Sequence, residues 1–284
     1  MGAPESRDSD GLRRINELAA ARLKKTLKCQ RDCAPKEPMR IALLSDIHGN
    51  REALAACLAH ARVSSVDRFV FLGDYVGYGA DPGFVVDTVQ DYVARGAIAV
   101  RGNHDDAIET GTSRMNDSAA LAIAWTRDQL NEDQRAFLHA LPLTASEADR
   151  LYVHANVDAP AGWGYVTDLY SASRSLIAMR AQLAFCGHIH VPALYHMSAT
   201  GKIASFDPVG GVEIPLSRHR RWLAVLGAVG QPRDGNPAAC YAILDADDQA
   251  LTYVRVPYDV EIAARKIRAA GLPRRLADRL FDGT

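Results

Sequence analysis

The chain has 284 residues, 48% hydrophobic and 24% charged, with 33 Lys and Arg against 34 Asp and Glu. That composition excludes a disordered, collagen-like or small disulfide-stapled protein. The formal net charge of −1 supplies no general attraction to nucleic acid or acidic membranes. No apolar run approaches the roughly 20 residues needed to span a bilayer, and the first thirty residues lack the apolar stretch of a secretory signal. The five scattered cysteines, Cys29, Cys33, Cys57, Cys186 and Cys240, suit reduced thiols, and a cytoplasmic location is expected.

Residues 1–38 read as a helical or flexible appendage. Leu12, Ile15, Leu18, Leu23 and Leu27 recur at roughly helical spacing before the segment turns polar and ends at Pro35 and Pro38. A single domain is expected over 39–284. Its first strand, 40–45, is a continuous apolar run, as in strands buried on both faces. Further strands are predicted at 68–72, 97–100, 151–154 and 183–186, with helices after Asn50, through Val85 to Tyr92, and as one long stretch over 117–141. Strand-like runs follow at 193–198, 202–206, 222–226, 239–245 and 250–257, and helices at 259–270 and 273–280. Alternation of strand and helix followed by a strand-rich tail implies an α/β fold with a second, more antiparallel sheet.

Five polar clusters stand at the carboxyl ends of predicted strands: Asp46-Ile-His48-Gly-Asn, Gly73-Asp74, Gly102-Asn103-His104-Asp105, His154, and Gly187-His188-Ile-His190. Ligands of open α/β sheets bind at those ends, so loops far apart in the chain can converge. A donor set of hard oxygens and imidazoles suits Mn²⁺, Fe or Zn²⁺ better than Ca²⁺ or an all-thiolate site.

This ordered set resembles the calcineurin-like metallophosphoesterase superfamily. Tyr75-Val-Gly77-Tyr78-Gly79 and Val229-Gly-Gln-Pro-Arg233-Asp-Gly resemble its bacterial and archaeal branch, related to diadenosine tetraphosphatase and serine/threonine protein phosphatases. The resemblance covers roughly residues 39–258 and implies a four-layer α/β sandwich, two mixed β-sheets flanked by helices, so that the domain over 39–284 is expected to be catalytic. It implies two divalent transition-metal ions, Mn or Fe ahead of Zn. Asp46, His48 and His190 would hold one, Asn103, His154 and His188 the other, and Asp74 would bridge them. His104 would be catalytic, as proton donor or charge stabiliser. Activity would be phosphate ester hydrolysis by a metal-bound hydroxide, with a phosphorylated small molecule, nucleotide or phosphoprotein as substrate. A diadenosine polyphosphate or phosphodiester hydrolase, or a non-catalytic scaffold of the same fold, are the alternatives; nucleic acid and membrane partners are disfavoured.

Gly77 stands where many relatives carry an acid that orients the histidine, and Tyr78 where protein phosphatases carry a phosphate-gripping Arg. Asp81 or Asp105 is a possible substitute partner for His104, and Arg101 and Arg233 are the candidate substrate-binding charges. Ala228 replaces a Ser of the family pattern, which removes a hydroxyl near the site. Asn156, Trp163, Tyr165 and Tyr170 read as a packing stretch rather than a cleft lining.

Overall fold

Strand β1 (Arg40–Leu44) is buried on both faces, and each face has a different neighbour. Ala42 and Leu44 pack with helical residues, whereas Ile41 and Leu43 join a core shared with a second sheet. In this computed structural model, residues 39–113 and 115–284 are described. The expected appendage over 1–38, with Cys29 and Cys33, lies outside them.

The strands after β1 are β2 (Arg68–Phe71), β3 (Ile98–Ala99), β4 (Thr144–Glu147), β5 (Arg150–Val153), β6 (Leu183–Cys186) and β7 (Ala193–Ser198). They continue as β8 (Ile203–Phe206), β9 (Glu213–Pro215), β10 (Arg220–Val225), β11 (Ala239–Asp245) and β12 (Ala250–Val256). One six-stranded sheet has the order β3-β2-β1-β11-β12-β9, the other β4-β5-β6-β10-β7-β8. Both are mixed. β1, β2 and β3 run parallel and β11 joins β1 antiparallel; β5, β6 and β10 run parallel and β7 joins β10 antiparallel.

The helices are α1 (Arg51–Val63), α2 (Pro82–Ala94), α3 (Asn103–Thr110), α4 (Asp117–Gln129), α5 (Glu132–Ala140), α6 (Leu169–Ala178), α7 (Val260–Ala269) and α8 (Arg274–Asp278). Leu54, Leu58, Val85 and Val89 of α1 and α2 cover the outer face of the first sheet. Ala172 and Leu176 of α6 cover the second sheet at Val153, Leu223 and Val225. Between the sheets lie Ile41, Leu43, Val70 and Leu72 against Tyr152, Phe185, Leu194 and Trp222. The result is the expected sandwich, with helices outside two sheets. Among the described residues no helix is long and apolar enough to cross a membrane.

Several elements differ from the sequence expectation. The helix expected over 117–141 is two helices. Asn131 interrupts it, because its side-chain oxygen accepts from the Gln134 N–H at 2.8 Å while Gln134 Oε1 accepts from the Asn131 N–H at 3.1 Å. This reciprocal capping satisfies donors that a continuous helix would have paired internally. The short strands β4 and β9 and the helices α3 and α6 were not anticipated; β4 is a polar edge strand with no apolar run to mark it. Replacing Asn131 by Ala is expected to cost about 1 kcal/mol in urea denaturation. An unchanged midpoint would mean that packing alone sets the break.

Candidate metal centre

The expected cluster-bearing loops follow β1, β2, β3, β5 and β6, and they do converge. Main-chain bonds lace them together beyond the strand ends: the Asp46 N–H donates to Gly73 O at 3.1 Å, His48 to Asp74 O at 2.9 Å, and Gly187 to His154 O at 2.9 Å. Asp105 adds a carboxylate clamp. It accepts from the backbone N–H groups of Asp74, Tyr75 and Gly102 at 2.8, 2.9 and 2.9 Å. Within this lacing Asp46, His48, Asp74, Tyr78, His188 and His190 all have φ between 50° and 73°. That left-handed region is costly for non-glycine residues and is held by surrounding structure at functional sites.

The side chains form two donor groups that share one carboxylate. Asp46, His48 and His190 make the first; His190 Nε2 lies 3.4 Å from Asp46 Oδ1 and 3.1 Å from His48 Nε2. Asp74, His154 and His188 make the second, joined by Asn103, whose Oδ1 lies 3.1 Å from His154 Nε2. Asp74 Oδ2 stands between the groups, 3.6 Å from His48 Nε2 and 3.3 Å from His154 Nε2. All except Asn103 are buried.

Each of the four imidazoles in these groups is pinned by a backbone carbonyl. Nδ1 of His48, His154 and His190 faces the carbonyls of Val76, Leu72 and Gln231 at 3.0, 2.7 and 2.6 Å. His188 is turned the other way, with Nε2 3.1 Å from Trp163 O. A carbonyl can only accept, so the proton of a neutral ring sits on the pinned nitrogen and the lone pair of the other points inward. Two such lone pairs then face each other at 3.1 Å between His48 and His190. A cation held by the two rings would turn that repulsion into coordination, and carbonyl-fixed imidazoles are the usual support of a metal site. The residues fit divalent metal ions.

The electrostatics agree. Burial pushes His48 and His190 well below the ordinary histidine range, with His104 adding at His48 and Arg233 at His190. Burial, with His154, takes His188 down to about 3. Burial alone would depress His154 too, but Asp74 and Asp46 carry it up to about 9. Burial opposes ionisation of Asp74, yet His154 and His104 hold it well below the carboxylate range. In the metal-free protein a proton on His154 therefore offsets part of the charge that a metal would neutralise.

His104 is at the centre but is not pinned. Its ring nitrogen belongs to a group with His48 and Asp74, while its buried Nδ1 has no hydrogen-bond partner. The rings of His48 and Tyr78 pack on it at 4.7 and 4.6 Å. Neither substitute partner serves it. Asp81 is paired with Lys266 at 2.7 Å, and Asp105 is committed to its three backbone donors. The glycine at 77 is what admits the ring: a Cβ there would lie 2.4 Å from His104 Nδ1.

Two further expectations are corrected. Arg101 is not a free charge; its guanidinium donates to His139 O at 2.9 Å and pairs with Asp106 at 3.4 Å, bracing α3 against α5. Trp163 and Tyr165 do line a cleft, of about 430 Å³, together with Asn103 and His188. Tyr165, 60% exposed, stacks on His188 at 4.4 Å. Asn156 shapes the same loop by accepting from the Gly164 N–H at 2.9 Å. Ala228 is fully buried, and its carbonyl accepts from Cys240. Arg233 is near the centre, its guanidinium 5.5 Å from the Tyr78 ring. Gln231, within the Val229–Gly235 segment, carries no motif signal of its own, yet its carbonyl anchors His190.

The family model of the calcineurin-like phosphoesterase superfamily domain matches residues 39–249. The chain belongs to that superfamily. It is 34% identical over 249 residues to the uncharacterized protein MJ0912 of Methanocaldococcus jannaschii, covering 86% of this chain and 98% of that one. It is similar to a solved metallophosphoesterase from Sphaerobacter thermophilus, with 36% identity, a TM-score of 0.77, and coverage of 87% and 100% of the two chains. The hypothetical protein PH1004 from Pyrococcus horikoshii OT3 shares the fold, with a TM-score of 0.69 at 18% identity over 87% of this chain and 99% of that one.

Because the raised pKa of His154 is about 9, metal-free protein at neutral pH carries its proton, and an incoming ion must displace it. Calorimetric Mn²⁺ titration at about pH 7.5, in buffers of different ionisation enthalpy, should report release of about one proton and an affinity that falls as pH is lowered. Buffer-independent heats would contradict this charge arrangement.

Proposed function

We propose that the chain is a dinuclear metal-dependent phosphoesterase that hydrolyses phosphate esters. The observation that carries this reading is the division of labour among the histidines. Four are locked by carbonyls with their free nitrogens converging on two groups that share Asp74, and the fifth, His104, is left unlocked beside them. Asp46, His48 and His190 would hold one ion, Asn103, His154 and His188 the second, and Asp74 would bridge. When bound, two such ions polarise phosphoryl oxygens and lower the pKa of a shared water. The mixed oxygen and imidazole set favours Mn or Fe.

The remaining residues define what the chain itself contributes. Burial brings His104 down to about 4, so it is neutral near pH 7 in the free protein. A phosphate dianion arriving beside it would raise that value and let the ring hold a proton for the departing oxygen. Tyr78 and His48 keep the ring in place by packing, in the absence of a carboxylate partner. Trp163 and Tyr165 offer aromatic surface for the organic part of a small phosphorylated molecule or nucleotide. Arg233, its guanidinium 5.5 Å from the Tyr78 ring, would supply positive charge for the phosphate groups of a substrate. A non-catalytic scaffold is disfavoured, since every ligand position carries a competent donor.

Metal analysis combined with a phosphate-release screen tests the reading. Protein loaded with Mn²⁺ should hold about two equivalents, and Asp74→Asn should lose both metal and activity, because it weakens the one bridge between like charges. A chain that holds both ions and releases no phosphate from any ester would overturn it.

His104→Ala should instead keep its metal while turnover falls by about 10²- to 10⁴-fold. The loss should shrink for nitrophenolate, a leaving group that needs little protonation. Equal losses on good and poor leaving groups would argue against proton donation, and loss of metal would make His104 a ligand.

A further inference from the structure

A second hollow, of about 400 Å³, opens on the Tyr78 side of the centre. Three guanidinium groups line it: Arg233 from the loop after β10, Arg275 from α8, and Arg279 at the end of that helix. Asn116 and Ser118 at the start of α4 add polar groups, and Asp117 is the only carboxylate among the lining residues. Burial and the charges of Arg233 and Arg275 push Arg279 down to about 10, so the guanidinium groups feel one another.

The hollow is tied to the metal centre through Gln231. Its side-chain Oε1 accepts from Arg233 at 3.0 Å and from Arg279 at 3.1 Å. Its carbonyl is the anchor of His190 Nδ1 at 2.6 Å. Gln231 is only 1% exposed, and its Nε2, like Arg233 Nε, is buried without an acceptor. Buried donors without acceptors are costly, and here they accompany three positive charges. Tyr78 links the two regions, with its ring 4.5 Å from His48 on one side and the Arg233 guanidinium 5.5 Å away on the other.

We propose that Arg233, Arg275 and Arg279 form a second phosphoryl subsite, seating a phosphoryl group of the substrate that does not itself react. The substrate class is then a phosphoanhydride or polyphosphate. This rests on the phosphoesterase reading and names its substrate. Planar guanidinium forks match phosphate oxygens in pairs, which a cluster of lysines would not do. In the reaction, water oxygen bonds to the reacting phosphorus and the bridging P–O bond breaks. The departing phosphate keeps the electron pair and takes up a proton released by the water, while the arginines neutralise its charge.

Inorganic triphosphate is the probe, compared with nitrophenyl phosphate on the metal-loaded full chain. Arg275→Ala, at an exposed position, should lower kcat/KM for triphosphate about 10- to 100-fold more than for the monoester. Arg279→Lys, which keeps the charge but not the fork, should lower it in the same sense. Equal effects on both substrates, or none, overturn the subsite. If the loaded wild type hydrolyses neither compound, the phosphoesterase reading fails instead. The subsite is then decided by calorimetric binding of triphosphate to the full chain with its metal chelated. Binding that both substitutions weaken supports it; absent or unaffected binding overturns it.

Discussion

The carboxylate of Asp74 is the constraint on which the centre depends. It is buried, it lies between two converging groups of imidazoles, and the His104 backbone N–H donates to its other oxygen at 2.8 Å. A buried anion needs compensating charge or donors. Here the compensation comes from His154 in the metal-free protein and would come from cations in the loaded one. The same carboxylate also limits its neighbours in space. A Cβ at position 102 would lie 2.2 Å from Asp74 Oδ1, so glycine there is a condition of bringing α3, and with it Asn103 and His104, up to the bridge.

The strained backbone follows from that demand. Strands deliver side chains to alternate faces of a sheet, not to its end. Turning donors inward from the strand ends requires left-handed residues at Asp46, His48, Asp74, His188 and His190. Each costs on the order of 1 kcal/mol or more. The opposing terms are visible: the loop-to-loop main-chain bonds, and the three donors gathered by Asp105. Asp105 thus acts on the geometry of the loops, and its own pKa, pushed up by burial and by Asp74 to about 7, reflects the crowding of two carboxylates.

Much of this was legible in the sequence, for reasons that can be named. Apolar runs such as Ile41–Leu44 and Leu183–Cys186 mark strands covered on both faces, and the polar residues that follow them mark the ends where ligands collect. What escaped was whatever depended on partners distant in the chain. Arg101 matched a motif, yet Asp106 and the end of α5 claim its guanidinium. Trp163 and Tyr165 looked like packing because composition does not distinguish a cleft wall from a core. Gln231 and Arg279 meet across 48 residues, and neither sits at a strand end. The Asn131 break left only a faint trace, an Asn followed three residues later by Gln inside an otherwise periodic stretch.

The distribution of the ligands along the chain also bears on how the protein is assembled. Asp46 and His190 follow strands of different sheets, and the groups they join are completed only when those sheets pack face to face. Contacts of such long sequence separation carry a larger loop-closure cost than local ones. The first group lacks His190, and the second lacks His154 and His188, until the strands of the second sheet are in place, so no short stretch of chain offers an ion a complete nest. A metal ion that needs donors from both sets of loops would therefore find them gathered only where the two sheets have already met.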